Sequence, residues 1–150
     1  MEKTNHLKLS FTHDGDPNDG FGRLNVEVAA DGFAGLGGMW VQWQDLLELS
    51  EKLAAFPLPE QNPPTEDWGY GEVDDYRSIV KLRFANAGKR GPVSVLVQIS
   101  DDDESDLFVS CKFKVGYAAL DRFRVQLNEM AKDKSGSCLL SDLDSESNSG

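Results

Sequence analysis

The chain has 150 residues, which is the length of one ordinary domain and enough to bury about two thirds of its unfolded surface. Its composition, 39% hydrophobic and 27% charged, is typical of a folded soluble protein, and no apolar run reaches the ~18 residues of a membrane helix. The formal net charge of -11 disfavours nucleic acid and anionic membranes as ligands. It favours a basic protein partner, although the same charge also serves solubility alone.

The N-terminal segment and the two cysteines favour a cytoplasmic protein. The stretch MEKTNHLKLSF lacks the apolar core of a signal peptide. Cys111 falls in a strand-like run and Cys138 in a polar tail, so we expect one core residue, one loose thiol and no disulfide between them. No CxxC motif or histidine-rich cluster indicates zinc, and we expect no cofactor.

The first half of the chain predicts strands followed by a helix. Apolar residues alternate with polar ones over 7–11 and 24–30, and the strand pattern resumes over 39–41. An amphipathic helix follows and ends before Pro57. Its apolar stripe consists of Leu46, Leu49, Leu53 and Phe56. The proline-rich, acidic segment 57–76 predicts a surface loop, with a brief strand near Trp68 and Tyr70.

The second half repeats this order of elements. Alternation predicts strands over 80–84, 93–99 and 107–115, whose connections are too short for a crossover helix and so favour antiparallel hairpins. The stripe of the second helix consists of Leu120, Phe123, Leu127 and Met130. We expect a single α+β domain over 1–134, and a disordered, acidic, serine-rich tail over 135–150.

The predicted fold is an α+β arrangement in which an antiparallel sheet of six or seven strands carries two amphipathic helices on one face. The two strand–helix units resemble each other, because MWVQWQDLLELSEKLAAF aligns with FKVGYAALDRFRVQLNEM at all four stripe positions. Two explanations stay open. The chain contains a duplication, or any strand that enters a helix through a short turn needs this pattern.

The stretch HDGDPNDGFG resembles half of a calcium loop, with Asp14, Asp16 and Asn18 at alternate positions. An EF-hand requires glycine at position 6 and glutamate at position 12, where this chain has Asp19 and Asn25. The same residue types are common in turns, so we predict a hairpin loop. The alternative is a weak metal site that includes His13.

Little in the sequence indicates catalysis. The only histidines are His6 and His13, there is no GxSxG motif, and the glycines at 35–38 lack the spacing and lysine of a phosphate loop. We therefore expect no enzymatic activity, and we interpret the glycines as a bulge or a bent strand edge. We expect Trp40 and Trp43, before the first helix, to be core residues.

Two acidic segments are the predicted contact sites for a protein partner, since aromatic rings supply contact area and charge supplies steering. One lies within 60–75 and the other within 101–106. The predicted contact residues are Glu66, Asp67, Trp68, Tyr70, Glu72, Asp74, Asp75, Asp101, Asp102, Asp103 and Glu104. The alternatives are that the two aromatic residues cap the sheet and that 101–106 is a solvated hairpin tip.

The order of elements resembles small bacterial immunity-type proteins related to the WapI immunity family of contact-dependent and polymorphic toxin systems. The likeness covers about residues 7 to 131 and depends on Trp40, Trp43, Asp45, Leu46, Phe113, Leu120 and Leu127. It implies an antidote that binds one cognate toxin domain, basic where the toxin attacks nucleic acid, and blocks it without chemistry. Two other hypotheses stay open: a small metal-binding or enzymatic domain that uses the 14–18 turn, and a structural subunit that pairs through a sheet edge.

Overall fold

The computed structural model describes residues 5–16, 18–71, 73–88, 91–100 and 108–141. These residues form eight strands and two helices, with a short 3-10 turn over Val73–Asp75. The elements are β1 His6–His13, β2 Phe21–Ala30, β3 Phe33–Gln42, α1 Trp43–Lys52, β4 Thr65–Tyr70, β5 Arg77–Asn86, β6 Val93–Ser100, β7 Phe108–Val115, α2 Tyr117–Asp133 and β8 Ser135–Ser141.

The strands form two antiparallel sheets of four strands each. Sheet I has the order β3-β2-β1-β8 and sheet II the order β4-β5-β6-β7. The predicted α+β class, with two helices and antiparallel hairpins, is confirmed. The single sheet of six or seven strands is wrong. Periodicity shows that a segment is a strand, but it does not show which sheet the strand joins.

The two halves of the chain have the same order, three strands, a helix and a fourth strand, and they exchange the fourth strand. β4 pairs with β5 of the second half, and β8 pairs with β1 of the first half. Equivalent hydrogen bonds mark the start of each exchange: the Phe84 N–H donates to the Pro64 carbonyl at 2.9 Å, and the His13 N–H to the Lys134 carbonyl at 3.1 Å. Duplication of one β-β-β-α-β unit would produce this arrangement.

The two sheets contact each other where β3 crosses sheet II. A Cβ atom on Gly37 would lie 2.4 Å from Ile99 Cγ2 of β6, and one on Gly35 would lie 2.9 Å from Val109 Cγ1 of β7. Side chains at these two positions would therefore hold the sheets apart. The glycines predicted to form a bulge or a bent edge do lie in an edge strand, and two of them make the close packing possible.

Both helices complete the same core as the sheets. The Gln42 N–H donates to Asp45 Oδ2 at 3.0 Å, which satisfies a backbone donor at the start of α1. Phe123 of α2 packs against Phe84 of β5 with ring centroids 6.1 Å apart. The helices also meet through a polar contact, in which Asn128 Nδ2 donates to the buried Ser50 Oγ at 3.1 Å.

β8 occupies the start of the segment predicted to be a disordered tail. Cys138 and Leu140 alternate with exposed residues and point into the core. Cys138 is therefore a core residue and not the loose thiol that we predicted, and burial raises its pKa to about 12. Residues 142–150 of the predicted tail lie outside the described residues.

Candidate protein-binding site

Edge strands of the two sheets contact each other, and three aromatic residues near this contact have exposed side chains. The backbone N–H of Trp40, in edge strand β3, donates to Tyr70 Oη, in edge strand β4, at 3.4 Å. Trp40, Tyr70 and the nearby Tyr76 are 46%, 40% and 45% exposed. We call this surface the aromatic–acidic corner. It consists of Trp40, Asp67, Tyr70, Asp74, Asp75 and Tyr76.

Two glycines allow the chain to fold back over β4 at this corner. A Cβ atom on Gly69 would lie 2.1 Å from the Arg77 carbonyl oxygen and 2.8 Å from Tyr76 Oη. Gly71 has a φ of +100°, and a Cβ atom there would lie 2.3 Å from the Asp75 carbonyl oxygen. The WGYG sequence therefore places the acidic 3-10 turn and Tyr76 beside the strand, where larger residues would clash.

Asp67 is fixed in orientation by its neighbours. Its Oδ1 atom accepts hydrogen bonds from Tyr76 Oη at 3.0 Å and from Ser78 Oγ at 2.6 Å, and Tyr76 Oη is also 3.0 Å from the Asp67 carbonyl oxygen. Burial and the Asp67 carboxylate raise the pKa of Tyr76 to about 12, so the phenol stays protonated and donating at neutral pH. The carboxylate is thus held in place while the residue remains exposed.

Two other predicted contact residues, Glu66 and Trp68, do not belong to the exposed surface of this corner. Glu66 points inward from β4, with 13% of its side chain exposed, and forms an ion pair with Lys52 at 3.0 Å. Trp68 is only 8% exposed, as the capping alternative expects. Glu72, Asp101, Asp102, Asp103 and Glu104 lie outside the described residues.

The Glu66–Lys52 pair has a structural role. Burial raises the pKa of Glu66, and the Lys52 ammonium offsets only part of this effect. The hydrogen bond to Glu66 in turn raises the pKa of Lys52, which also lies 3.3 Å from Glu48. This network connects α1 to β4 and leaves Glu66 little freedom to meet a partner.

Sequence reasoning missed Trp40 and Tyr76 as surface residues. Trp40 was expected in the core, but Met39 and Val41 on either side of it are buried, so Trp40 must face outward from β3. That alternation was the signal that could have found it. Trp40 lies opposite Arg23 on the outer face of sheet I, where Phe21 is also 42% exposed.

The described residues of the HDGDPNDGFG stretch form the end of β1, the start of β2 and the predicted hairpin loop between them. Asp14, Asp16 and Asp19 each accept a hydrogen bond from a backbone N–H two residues further along the chain, at 2.8 to 3.0 Å. The Phe21 N–H lowers the pKa of Asp19, but burial and the nearby carboxylates outweigh it and raise that pKa above its usual value.

His13 is part of the same loop. The Gly15 N–H donates to His13 Nδ1 at 3.0 Å, and His13 Nε2 lies 2.8 Å from the Asp19 carbonyl oxygen. Both ring nitrogens therefore have backbone partners, although side-chain oxygens of Asp14 and Asp19 lie within 4.8 Å of a ring nitrogen and of each other. A metal at this cluster would have to displace one of these hydrogen bonds.

A scan against protein-family models, a search of curated proteins and a search of solved structures each find no match to this chain. Neither helix of the described chain has both the length and the apolar character needed to cross a membrane.

Proposed function

We propose that the chain is a non-catalytic protein-binding module that uses the aromatic–acidic corner to bind a basic surface of its partner. The observation that carries the proposal is the exposure of three aromatic side chains near the contact between β3 and β4, where Asp67, Asp74 and Asp75 are exposed as well. Rigid aromatic side chains lose little entropy on binding and dominate interface energies, and the carboxylates select a basic partner.

More specifically, we propose that the chain is an immunity protein that neutralises a cognate toxin domain. Two properties support this role: the net charge of -11, and the fixed orientation of the Asp67 carboxylate. A toxin domain that acts on nucleic acid needs a basic surface to contact phosphates, and an acidic inhibitor would be attracted to that surface from a distance.

Affinity capture from the native lysate, at low and at high salt, tests the proposal. The bait is the wild-type chain, a corner variant with Trp40→Ala and Tyr70→Ala, or a control variant with Phe33→Ala and Phe108→Ala. The control removes two rings that are also exposed, at 73% and 55%, but lie outside the corner. We expect the wild type and the control to capture one basic partner at low salt, and the corner variant to lose it.

Two outcomes would count against the proposal. Capture of the same partner by the corner variant would place the contact elsewhere, and capture that is unaffected by salt would remove the electrostatic part, because exposed charges are screened within about 8 Å at physiological salt. For a basic partner, replacing Asp67, Asp74 and Asp75 by asparagine should slow association more than it speeds dissociation, which stopped-flow or surface-based kinetics would measure.

A separate observation supports the alternative hypothesis of a metal site, and a separate experiment tests it. The His13, Asp14 and Asp19 ligand atoms lie within 4.8 Å of one another, which favours a weak site in the β1–β2 loop. Such a site predicts a rise in melting temperature with calcium or zinc, absent in Asp14→Asn. No rise at millimolar metal would remove this hypothesis.

A further inference from the structure

The outer face of sheet II carries a group of basic residues in a chain that is otherwise strongly acidic. Lys81 and Arg83 alternate along β5, and Lys112 and Lys114 alternate along β7, so each pair projects from one face of its strand. Leu96 of β6 lies opposite both Arg83 and Lys112, which shows that the two pairs share the same face.

Three of these residues surround a shallow cavity of about 320 Å³. Among the described residues, small or uncharged side chains form the rest of its wall, and none of those that line it is acidic. The lining residues are Arg83, Ala85, Asn86, Ala87, Ser94, Leu96, Lys112 and Lys114. Arg83 also lines a second cavity, of about 840 Å³, together with Lys52 and Lys81. Arg83 therefore lines both cavities, and the wall of the second one also includes Glu51 and Glu60.

The basic residues of this face have no ion-pair partner in the part of the chain that the structure describes. Among the residues that the structure describes, Lys52 and Arg124 form ion pairs, whereas Lys81, Arg83, Lys112 and Lys114 form none. The acidic residue opposite Lys81 is Asp67, whose Oδ1 atom accepts hydrogen bonds from Tyr76 and Ser78. With 26 acidic residues in the chain, a group of unpaired cations is the feature that an anionic ligand would neutralise.

We propose that the cavity between β5 and β7 binds a compact, phosphate-bearing anion, with Arg83, Lys112 and Lys114 as its ligands. An arginine fork and two ammonium groups are the chemistry that recognises phosphate oxygens. The cavity volume lies in the range of small-molecule sites, which begins at about 300 Å³.

The negative net charge of the whole chain favours a compact anion over a nucleic acid as the ligand of this cavity. A long polyanion would leave the basic face and meet the acidic remainder of the surface, whereas a pyrophosphate-sized ligand is shielded from it by salt over about 8 Å. Single-stranded nucleic acid also needs exposed rings for base stacking. Phe108, the first residue of β7, is not among the described residues that line this cavity.

Isothermal titration calorimetry with pyrophosphate, ADP, citrate and a single-stranded oligonucleotide, at physiological salt, tests the proposal. The site variant is Lys112→Gln with Lys114→Gln, and Arg83→Lys tests the fork. The matched control is Lys8→Gln with Lys132→Gln, which changes the net charge equally at two exposed lysines elsewhere. Circular dichroism and thermal unfolding confirm that each variant is folded.

We expect pyrophosphate and ADP to bind the wild type and the control equally, and the site variant at least about tenfold more weakly, since it lacks two charged hydrogen-bond donors. Tighter binding of ADP than of pyrophosphate would assign a nucleotide, and equal affinities would assign the phosphates alone. The proposal is overturned if neither phosphate compound binds, if the control weakens as much as the site variant, if citrate binds equally well, or if only the oligonucleotide binds.

Discussion

The last strand before the helix differs on its outer face between the two halves of the chain. In β3 the outward positions include Gly38 and Trp40, and the matching positions of β7 are Lys112 and Lys114. The inward neighbours do not diverge in this way, because Val41 and its counterpart Val115 are both buried. The shared core constrains one face of each strand, whereas the other face has specialised, toward aromatic contact in one half and toward cations in the other.

The halves also hold each other in place through the first residue of each helix. The Nζ atom of Lys134, from the second half, lies 5.4 Å from the ring centroid of Trp43. At the equivalent position Tyr117 contacts the first half, because its ring packs edge-on against Phe56 at 4.7 Å and its hydroxyl accepts the Leu58 N–H at 3.0 Å. With the fourth strands exchanged as well, we expect the halves to unfold together.

The largest expected change in stability comes from a substitution in β8, which tests whether this strand is packed in the core as the counterpart of β4. Leu140→Asp places a carboxylate in the core, so it should lower the free energy of unfolding by about 5 kcal/mol or more, enough to unfold a typical domain. Leu139→Asp, one residue away, is the control, because Leu139 is 48% exposed and faces the other side of the strand. Denaturant unfolding followed by circular dichroism measures both, and equal losses would contradict the register.

β8 also shows where sequence reasoning reached its limit. The alternation of apolar and polar residues was sufficient to predict five strands, because several apolar residues repeat at every second position in each. These strands are β1, β2, β5, β6 and β7. In SGSCLLS only Cys138 and Leu140 carry the period, and the serines around them are typical of disorder. The strand forms because it pairs with β1, from the opposite end of the chain, and such a long-range partner leaves no local trace.

The candidate sites were only partly predictable for a similar reason. Asp67, Tyr70, Asp74 and Asp75 were predicted from a local run of acidic and aromatic residues, and they lie at the aromatic–acidic corner. Trp40 joins them only because the edges of two separate sheets meet. The alternating cations of β5 and β7 are visible in the sequence, but their shared face depends on β6 lying between them.

The next largest loss of stability is expected from truncating core side chains at equivalent positions of the two helices. Leu49 in α1 aligns with Phe123 in α2, and both are fully buried. Leu49→Ala should lower the free energy of unfolding by about 2–5 kcal/mol and Phe123→Ala by about 3–5 kcal/mol. Each variant should still unfold in one transition by circular dichroism and by tryptophan fluorescence. Two separate transitions would show that the halves are independent units.

A smaller effect tests the crossing of β3 over sheet II. Gly37→Ala should cost about 1–3 kcal/mol of stability, because the new methyl group overlaps Ile99. Ile99→Ala alone leaves a cavity, and the methyl group of Gly37→Ala would partly fill it. The double variant should therefore be more stable than the sum of the two single effects predicts, and a double-mutant cycle of denaturation measurements gives the coupling. Strict additivity would show that the two residues do not touch.

The smallest effect concerns the aromatic–acidic corner, which belongs to one half of the chain and its contact with the next strand. The pKa of Tyr76 rises from 10.0 to about 12 on folding, because of burial and the Asp67 carboxylate. Its contribution to stability is thus fully present below pH 10 and is lost as the pH rises through 12. In an ultraviolet titration, Tyr76→Phe should remove the tyrosinate transition near pH 12, and Asp67→Asn should move it to lower pH. Asp31→Asn, on the β2–β3 turn, should leave it in place. If Asp67→Asn does not move the transition, Asp67 does not hold Tyr76, and the corner is less ordered than its hydrogen bonds indicate.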